Sequence, residues 1–369
     1  MIKASAPGRA GIIGNPTDIY GGTVISCSVG ERAYCRLVPS KDLLVSTNGN
    51  SITIADRSGL ALDGSEFDIV KASFQALEID PAAAKISIDV RSDVPEQAGL
   101  AGSSAMLASI MGCLLAYLEI ELDKHELAEM IRATEADIMK VSCGYQDHYM
   151  TVFGGLNYMD FRGKEWMKSA SDEEKEPFAT VEPLTEAVGD LPMILAHTGV
   201  KRHSGGVHKG LRERWLEGDK QVVDGYRRIA ELGRLGKRAL LAQNWKELGS
   251  LMNENHAIQR DLGGSAECNE KLIETALSHG AYGAKLAGAG HGGTIIALTD
   301  DIKGMSEALL NAGAGRILRL QPVEGLIVER EWQSGYNKQS TGANRLRRRL
   351  DGRRHLRQRR RRSSAECRN

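Results

Sequence analysis

Ser103 and Ser104 follow two glycines in the stretch Pro95-Glu-Gln-Ala-Gly-Leu-Ala-Gly-Ser-Ser-Ala-Met106. Gly99 and Gly102 permit backbone angles and close approaches that a side chain forbids. The serines then open a long apolar helix, expected from Ala105 to Leu118. A glycine loop feeding a helix N-terminus gathers free N–H groups and about half a positive charge, which suits a phosphate. A Gly/Ser turn that merely caps a helix has the same composition, so this stretch alone leaves both readings open. It is not the nucleotide loop that ends in Gly-Lys-Ser/Thr, because no lysine follows Gly102.

Two carboxylates stand downstream. Glu135 lies on an expected helix from Lys124 to Met139, and Asp147 follows in the turn Cys143-Gly-Tyr-Gln-Asp-His148. Such a pair is either solvated or holds a divalent metal and a substrate hydroxyl. Upstream, Ala6-Pro-Gly-Arg-Ala-Gly-Ile-Ile-Gly-Asn-Pro-Thr-Asp-Ile-Tyr-Gly-Gly22 reads as a strand, Ala10 to Ile13, between glycine-rich turns. Those turns present Arg9, Asn15 and Asp18; the plainer reading is a solvent-facing turn with incidental polar residues. A third glycine run, Lys285-Leu-Ala-Gly-Ala-Gly-His-Gly-Gly293, leads into the strand Thr294 to Leu298. Dinucleotide folds run strand, loop, helix, so a loop that enters a strand argues against NAD.

The elements that must position these residues alternate between short strands and helices. Strands are expected at 23–37, 43–47, 86–91, 155–161 and 192–197. Helices are expected at 66–77 and near 207–216, 220–242 and 245–256, with a helix-and-strand layer over 301–329. This is an α+β pattern, and 369 residues suggest two domains, with the charged stretch 163–178 as linker. The six cysteines show no metal-knuckle or Cys-x-x-Cys spacing and read as reduced thiols of a cytoplasmic protein. Met1-Ile-Lys3 runs straight into a Pro-Gly turn, with no signal peptide expected. The apolar run 103–120 falls short of a membrane span and lacks basic flanks, so it reads as a buried core helix.

A net charge of zero hides an asymmetry. Residues 345–369 hold twelve arginines against Asp351 and Glu366. Taking these from 48 basic and 48 acidic residues leaves residues 1–344 with a formal charge of −10. An acidic body argues against nucleic-acid binding except through the tail, and the tail itself reads as disordered.

Three glycine-rich signals in this order resemble the GHMP kinases. The matching motifs are Pro7-Gly-Arg-Ala-Gly-Ile-Ile-Gly14 with Asp18, Gly99-Leu-Ala-Gly-Ser-Ser-Ala105 and Lys285-Leu-Ala-Gly-Ala-Gly-His-Gly-Gly293. Gly144-Tyr-Gln-Asp147, Gly154-Gly-Leu-Asn-Tyr-Met-Asp-Phe161 and residues 207–219 are similar to the glucuronokinase branch of that family. His197 to Gly205 is also similar to its heptose and fucose kinases.

The resemblance implies an S5-like N-terminal domain (1–180) and a ferredoxin-like C-terminal domain (181–330), and the change of composition after Arg330 marks an arginine-rich tail (331–369). It implies ATP in the cleft, wrapped by Pro95, Gly99, Leu100, Ala101, Gly102, Ser103, Ser104 and Ala105 and braced by Gly288 and Gly290. Ser104 and Glu135 would hold Mg²⁺, and Asp147, beside Arg9, would act on the attacking hydroxyl. Asn15, Asp18, Tyr20 and Arg202 would meet the second substrate. That substrate is expected to be a sugar or sugar acid phosphorylated at its anomeric hydroxyl, by a monomer or homodimer. Two other classes fit parts of the chain. A non-catalytic sugar sensor would reuse the fold, and an RNA-binding protein would use the tail.

Overall fold

Alternation in the first residues makes a strand: Ile2, Ala4 and Ala6 are buried while Lys3 and Ser5 face outward. The computed structural model describes residues 1–164, 178–200, 204–288, 290 and 292–331, with side chains placed for all of these except 204–209. In chain order the first part holds β1 (Ile2–Ile13), β2 (Thr23–Pro39), β3 (Leu43–Thr47), β4 (Asn50–Ile54), α1 (Asp68–Ala76) and β5 (Ile86–Ser92). It continues with α2 (Gly102–Tyr117), α3 (Lys124–Ala133), α4 (Gln146–Phe153), β6 (Leu156–Asp160), β7 (Thr180–Pro183) and α5 (Thr185–Val188). The second part holds β8 (Met193–His197), α6 (Ser204–Leu216), α7 (Lys220–Leu241), α8 (Trp245–Asp261), α9 (Glu267–Ser278) and β9 (Gly283–Leu286). Then come β10 (Thr294–Leu298), α10 (Ile302–Asn311), β11 (Arg316–Arg319) and β12 (Ile327–Arg330).

The first sheet has eight strands, ordered β12-β1-β2-β5-β3-β4, with β6 pairing β2 and β7. The length of β2 makes this possible: Thr23–Cys27 pairs with β6, and Ala33–Pro39 pairs with β5. Helix α2 is apolar on every side, and such a helix must be covered all round. It lies in the main core with β1, β2 and α1. The second sheet is antiparallel in the order β11-β8-β10-β9, which is the ferredoxin-like arrangement. Helix α7 joins the two parts, with Gly233 against the Thr23 backbone and the Thr23 hydroxyl donating to the Ala230 carbonyl at 2.7 Å.

Three segments differ from the sequence expectation. The strand expected from Ala10 to Ile13 between glycine-rich turns runs from Ile2 to Ile13, so Arg9 projects from the strand and not from a turn. The segment 327–330 leaves the second layer and pairs with β1, Ser5 opposite Ile327 and Ile2 opposite Arg330. Leu326 and Val328 cover α2 where Gly112 leaves room, and Arg32 donates to the Glu324 and Gly325 carbonyls to hold the crossing. The expected helix 124–139 ends as an α-helix at Ala133 and continues as one wider π turn, Thr134–Ile138. Such turns cluster at functional sites, and this one carries Glu135. The tail from 332 and most of the expected linker lie outside the described residues. Among the described residues, no helix is long and apolar enough to cross a membrane.

Candidate active site

Main-chain hydrogen bonds draw the three glycine-rich segments together. Strand β1 breaks register between Pro7 and Arg9 and again between Gly11 and Ile13. Such bulges re-aim side chains. At these breaks the Arg9 N–H donates to the Leu100 carbonyl (3.0 Å) and the Gly11 N–H to the Ala287 carbonyl (2.8 Å). Gly8 is needed for the first contact, since a Cβ there would lie 2.6 Å from the Leu100 oxygen.

The loop before α2 takes positive φ at Gln97, Gly99 and Ala101 but not at Ala98 or Leu100. A backbone alternating in this way turns its N–H groups toward one side, as an anion requires. Ala101, at φ +59, is the residue before α2, and no side chain caps the helix there. A non-glycine residue in this region costs about 1–2 kcal/mol, and the first N–H groups of α2 are left for a ligand. The loop walls a cavity of about 500 Å³ that also touches Arg9, Asp18, Glu135, Cys143, Asp147 and Gly288. Pro95, Gly99, Leu100, Ala101, Gly102 and Ser103 line it directly. Ser104 and Ala105 lie beneath, both buried. Gly290 has φ +90 and packs where a Cβ would strike the Gly264 carbonyl, so its part is in the turn itself.

Helix α4 presents Asp147 from its first turn. Arg9 donates through Nε to Asp147 Oδ1 at 2.8 Å, and Nη2 reaches the same oxygen at 2.5 Å. Nη1 donates to the Gly99 carbonyl at 2.7 Å, so one guanidinium ties the carboxylate to the loop. Among the described residues, Asp147 Oδ2 has no hydrogen-bond donor.

Asp18 borders the cavity, yet its oxygens are engaged elsewhere. Oδ2 accepts from the Tyr145 and Gln146 N–H groups at 2.7 and 3.0 Å, and Oδ1 from the Gln146 amide at 3.1 Å. It therefore holds the N-terminus of α4. Gly144 lets it approach, because a Cβ there would lie 2.0 Å from Oδ2. Burial raises the Asp18 pKa, and the N–H donors offset part of that.

Glu135 is buried at the floor of the cavity. Ser103 donates to Oε1 at 2.6 Å, Ser104 to Oε2 at 3.0 Å, and His148 Nε2 lies 2.6 Å from Oε2. Burial alone would raise its pKa, but His148 and the two serines outweigh burial and hold it low. Burial would likewise lower the His148 pKa, yet contacts with Cys143 and Glu135 push it up to about 10. A serine hydroxyl beside a carboxylate offers hard oxygen donors, the set that Mg²⁺ prefers.

The other expected substrate contacts fare differently. Asn15 is buried, with Oδ1 accepting from Lys285 Nζ at 2.7 Å and Nδ2 donating to the Gly288 carbonyl at 3.3 Å. It joins the first motif to the third and is absent from the cavity wall. Tyr20 stacks on Tyr226 (centroids 4.3 Å apart) and leans on Trp215 (5.2 Å), in an apolar cluster away from that wall. Arg202 and His291 lie outside the described residues. Sequence reasoning passed over His148, Cys143 and Lys285. A search for paired histidine or cysteine spacings has no view of a mixed cluster assembled from a π turn and a neighbouring helix.

The model of the GHMP kinases N terminal domain matches residues 68–155, and that of the GHMP kinases C terminal matches residues 237–315. The chain is 28% identical over 341 residues to Glucuronokinase 1 of Arabidopsis thaliana, covering 86% of this chain and 90% of that protein. It is 25% identical over 349 residues to the mevalonate kinase of Pyrococcus abyssi, covering 89% of this chain and 98% of that protein. Among solved structures, Lactococcus lactis galactokinase complexed with galactose superimposes with a TM-score of 0.73 at 21% identity, over 88% of this chain and 95% of that one.

Proposed function

The chain belongs to the GHMP kinase family, and on that premise we propose that it transfers the γ-phosphoryl group of ATP to the anomeric hydroxyl of glucuronate or a closely related sugar. The observation that carries this reading is the Arg9–Asp147 pair at the edge of a cavity walled by an uncapped helix N-terminus.

Phosphoryl transfer asks a protein mainly to position its substrates and to neutralise charge. The N–H groups of the 97–104 loop and the start of α2 hold the phosphates of ATP. Ser104 and Glu135 would hold Mg²⁺, which neutralises triphosphate charge. Ser103 and His148 fix the Glu135 carboxylate for that task, so it need not reorganise when loaded. The sugar lies along the wall formed by Pro16, Asp18, Ile19 and Gly144, beside Asp147. Arg9 directs Asp147 through Oδ1, leaving Oδ2 to accept the proton of the attacking hydroxyl. The sugar hydroxyl oxygen bonds to the γ-phosphorus as the bond to the β-phosphate oxygen breaks, and ADP leaves with those electrons.

The preference for a sugar acid rests on the likeness to glucuronokinases. Its carboxylate calls for a forked cation. Arg202, Arg212 and Arg214 are the candidate partners, and of these Arg214 also donates to Asp219 at 2.7 Å. ATP consumption measured with glucuronate, galacturonate, galactose, fucose, heptose 7-phosphate and mevalonate tests the reading. Glucuronate should lead by at least tenfold in kcat/KM. A lead for galactose or mevalonate would overturn the substrate and keep the kinase, whereas no turnover with any acceptor would overturn both.

A further inference from the structure

Around Glu135, the His148 Nδ1 and the Cys143 sulfur are donor atoms that phosphoryl transfer does not use. His148 is fully buried; its Nδ1 makes no hydrogen bond of ordinary geometry, although Cys143 lies close enough to act on the ring. Cys143 is half-buried and borders the cavity, so the cluster is open to solutes on that side. One donor atom from each of Glu135, Cys143 and His148 lies within 4.8 Å of the other two.

We propose that Glu135, Cys143 and His148 form a second cation site, which takes a thiophilic divalent ion of the Zn²⁺ class. Zn²⁺ bonds sulfur at about 2.3 Å and nitrogen or oxygen at about 2.0–2.2 Å, which puts tetrahedral ligands about 3.5 Å apart. The three donor atoms, each within 4.8 Å of the other two, must draw together to reach that spacing. The donors are one thiolate, one imidazole and one carboxylate, a combination found around Zn²⁺ and foreign to Mg²⁺. Three protein ligands leave a fourth position for water or for a hydroxyl of Ser103 or Ser104. With the ion on His148 Nδ1, the Cys143 thiol proton and any proton on Nδ1 go to solvent, while the Nε2 proton stays with Glu135. An ion seated there engages Glu135 and so opposes Mg²⁺ at the neighbouring oxygen site.

Cobalt is a usable probe, because a Co²⁺–thiolate bond absorbs in the near ultraviolet. The full chain, free of nucleotide and Mg²⁺, should develop that absorption with one equivalent of Co²⁺. Stoichiometric Zn²⁺ should bleach it, and millimolar Mg²⁺ should leave it in place. Cys143→Ser should abolish the band, and His148→Gln should weaken Co²⁺ binding by roughly tenfold or more. Circular-dichroism melts report whether each variant folds; should His148→Gln unfold, Cys143→Ser decides alone. A wild-type protein without the band, or a band that survives Cys143→Ser, overturns the site. No nucleotide or sugar enters the measurement, so its outcome is independent of the kinase reading.

Discussion

Glu135 and Asp147 border one cavity from opposite kinds of surroundings. Glu135 is 3% exposed and receives Ser103, Ser104 and His148. The Asp147 side chain is 28% exposed and, among the described residues, meets a single cation, Arg9, through one oxygen. A carboxylate closed in by three donors is locked as an anion in one orientation. A carboxylate steered by one oxygen keeps the other for a proton. Chain position does not distinguish them, since they stand only twelve residues apart. On the proposed function, burial and partner count suit one to holding charge and the other to moving a proton.

The largest expected effect strikes the open carboxylate. Asp147→Asn keeps the shape and removes the proton acceptor, and general-base contributions are typically about 10²–10⁴ in rate, roughly 3–5 kcal/mol. Steady-state kinetics should show kcat down at least roughly a hundredfold with KM for ATP near wild type. A variant with normal kcat and a lowered melting temperature would reduce Asp147 to a helix-capping role.

The closed carboxylate should answer through the cation. Glu135→Gln should raise the Mg²⁺ concentration for half-maximal rate by roughly tenfold or more. A Mg²⁺ titration that superimposes on wild type removes Glu135 from the cation site and dissolves the contrast with Asp147.

Asp18 tests how the open site is held. Its carboxylate anchors the N-terminus of α4, one residue ahead of Asp147. Asp18→Asn should cost about 1 kcal/mol of stability, as lost caps do, and lower kcat several-fold through misplacement of Asp147. Unchanged kcat together with a large rise in sugar KM would instead make Asp18 a direct sugar contact.

The last effect concerns the seam behind both carboxylates and touches stability rather than rate. Lys285 is fully buried, and burial, with Arg9 second, lowers its pKa to about 7. The unfolded chain keeps this proton to about pH 10.4. Between those values the unfolded state binds more protons, so this group makes stability rise with pH from about 7 to about 10. Lys285→Met removes the titration. The melting temperature of wild type relative to the variant should therefore climb across that window; a constant difference would mean that Lys285 titrates normally.

The sequence alone went part of the way in reading the backbone chemistry. Gly99 takes the left-handed angle expected of it, whereas Gly102, expected to need the same freedom, opens α2 with ordinary space beside it, and Gly8 and Gly144 make room for groups distant in sequence. Such needs recur as short motifs, and the alternation of strands and helices sets the α+β frame in the same local way. Partnership was decided by the tertiary structure. Arg9 and Asp147 lie 138 residues apart, and Lys285 and Asn15 lie 270 apart. Asp18 and Tyr20 sit two residues apart on one short helical turn, yet one carboxylate anchors α4 while the neighbouring ring enters an apolar cluster. A motif constrains the angles of its own backbone. Which distant group fills the space beside a side chain depends on how whole elements pack, and that packing alone set the ionisation of Glu135, His148 and Lys285.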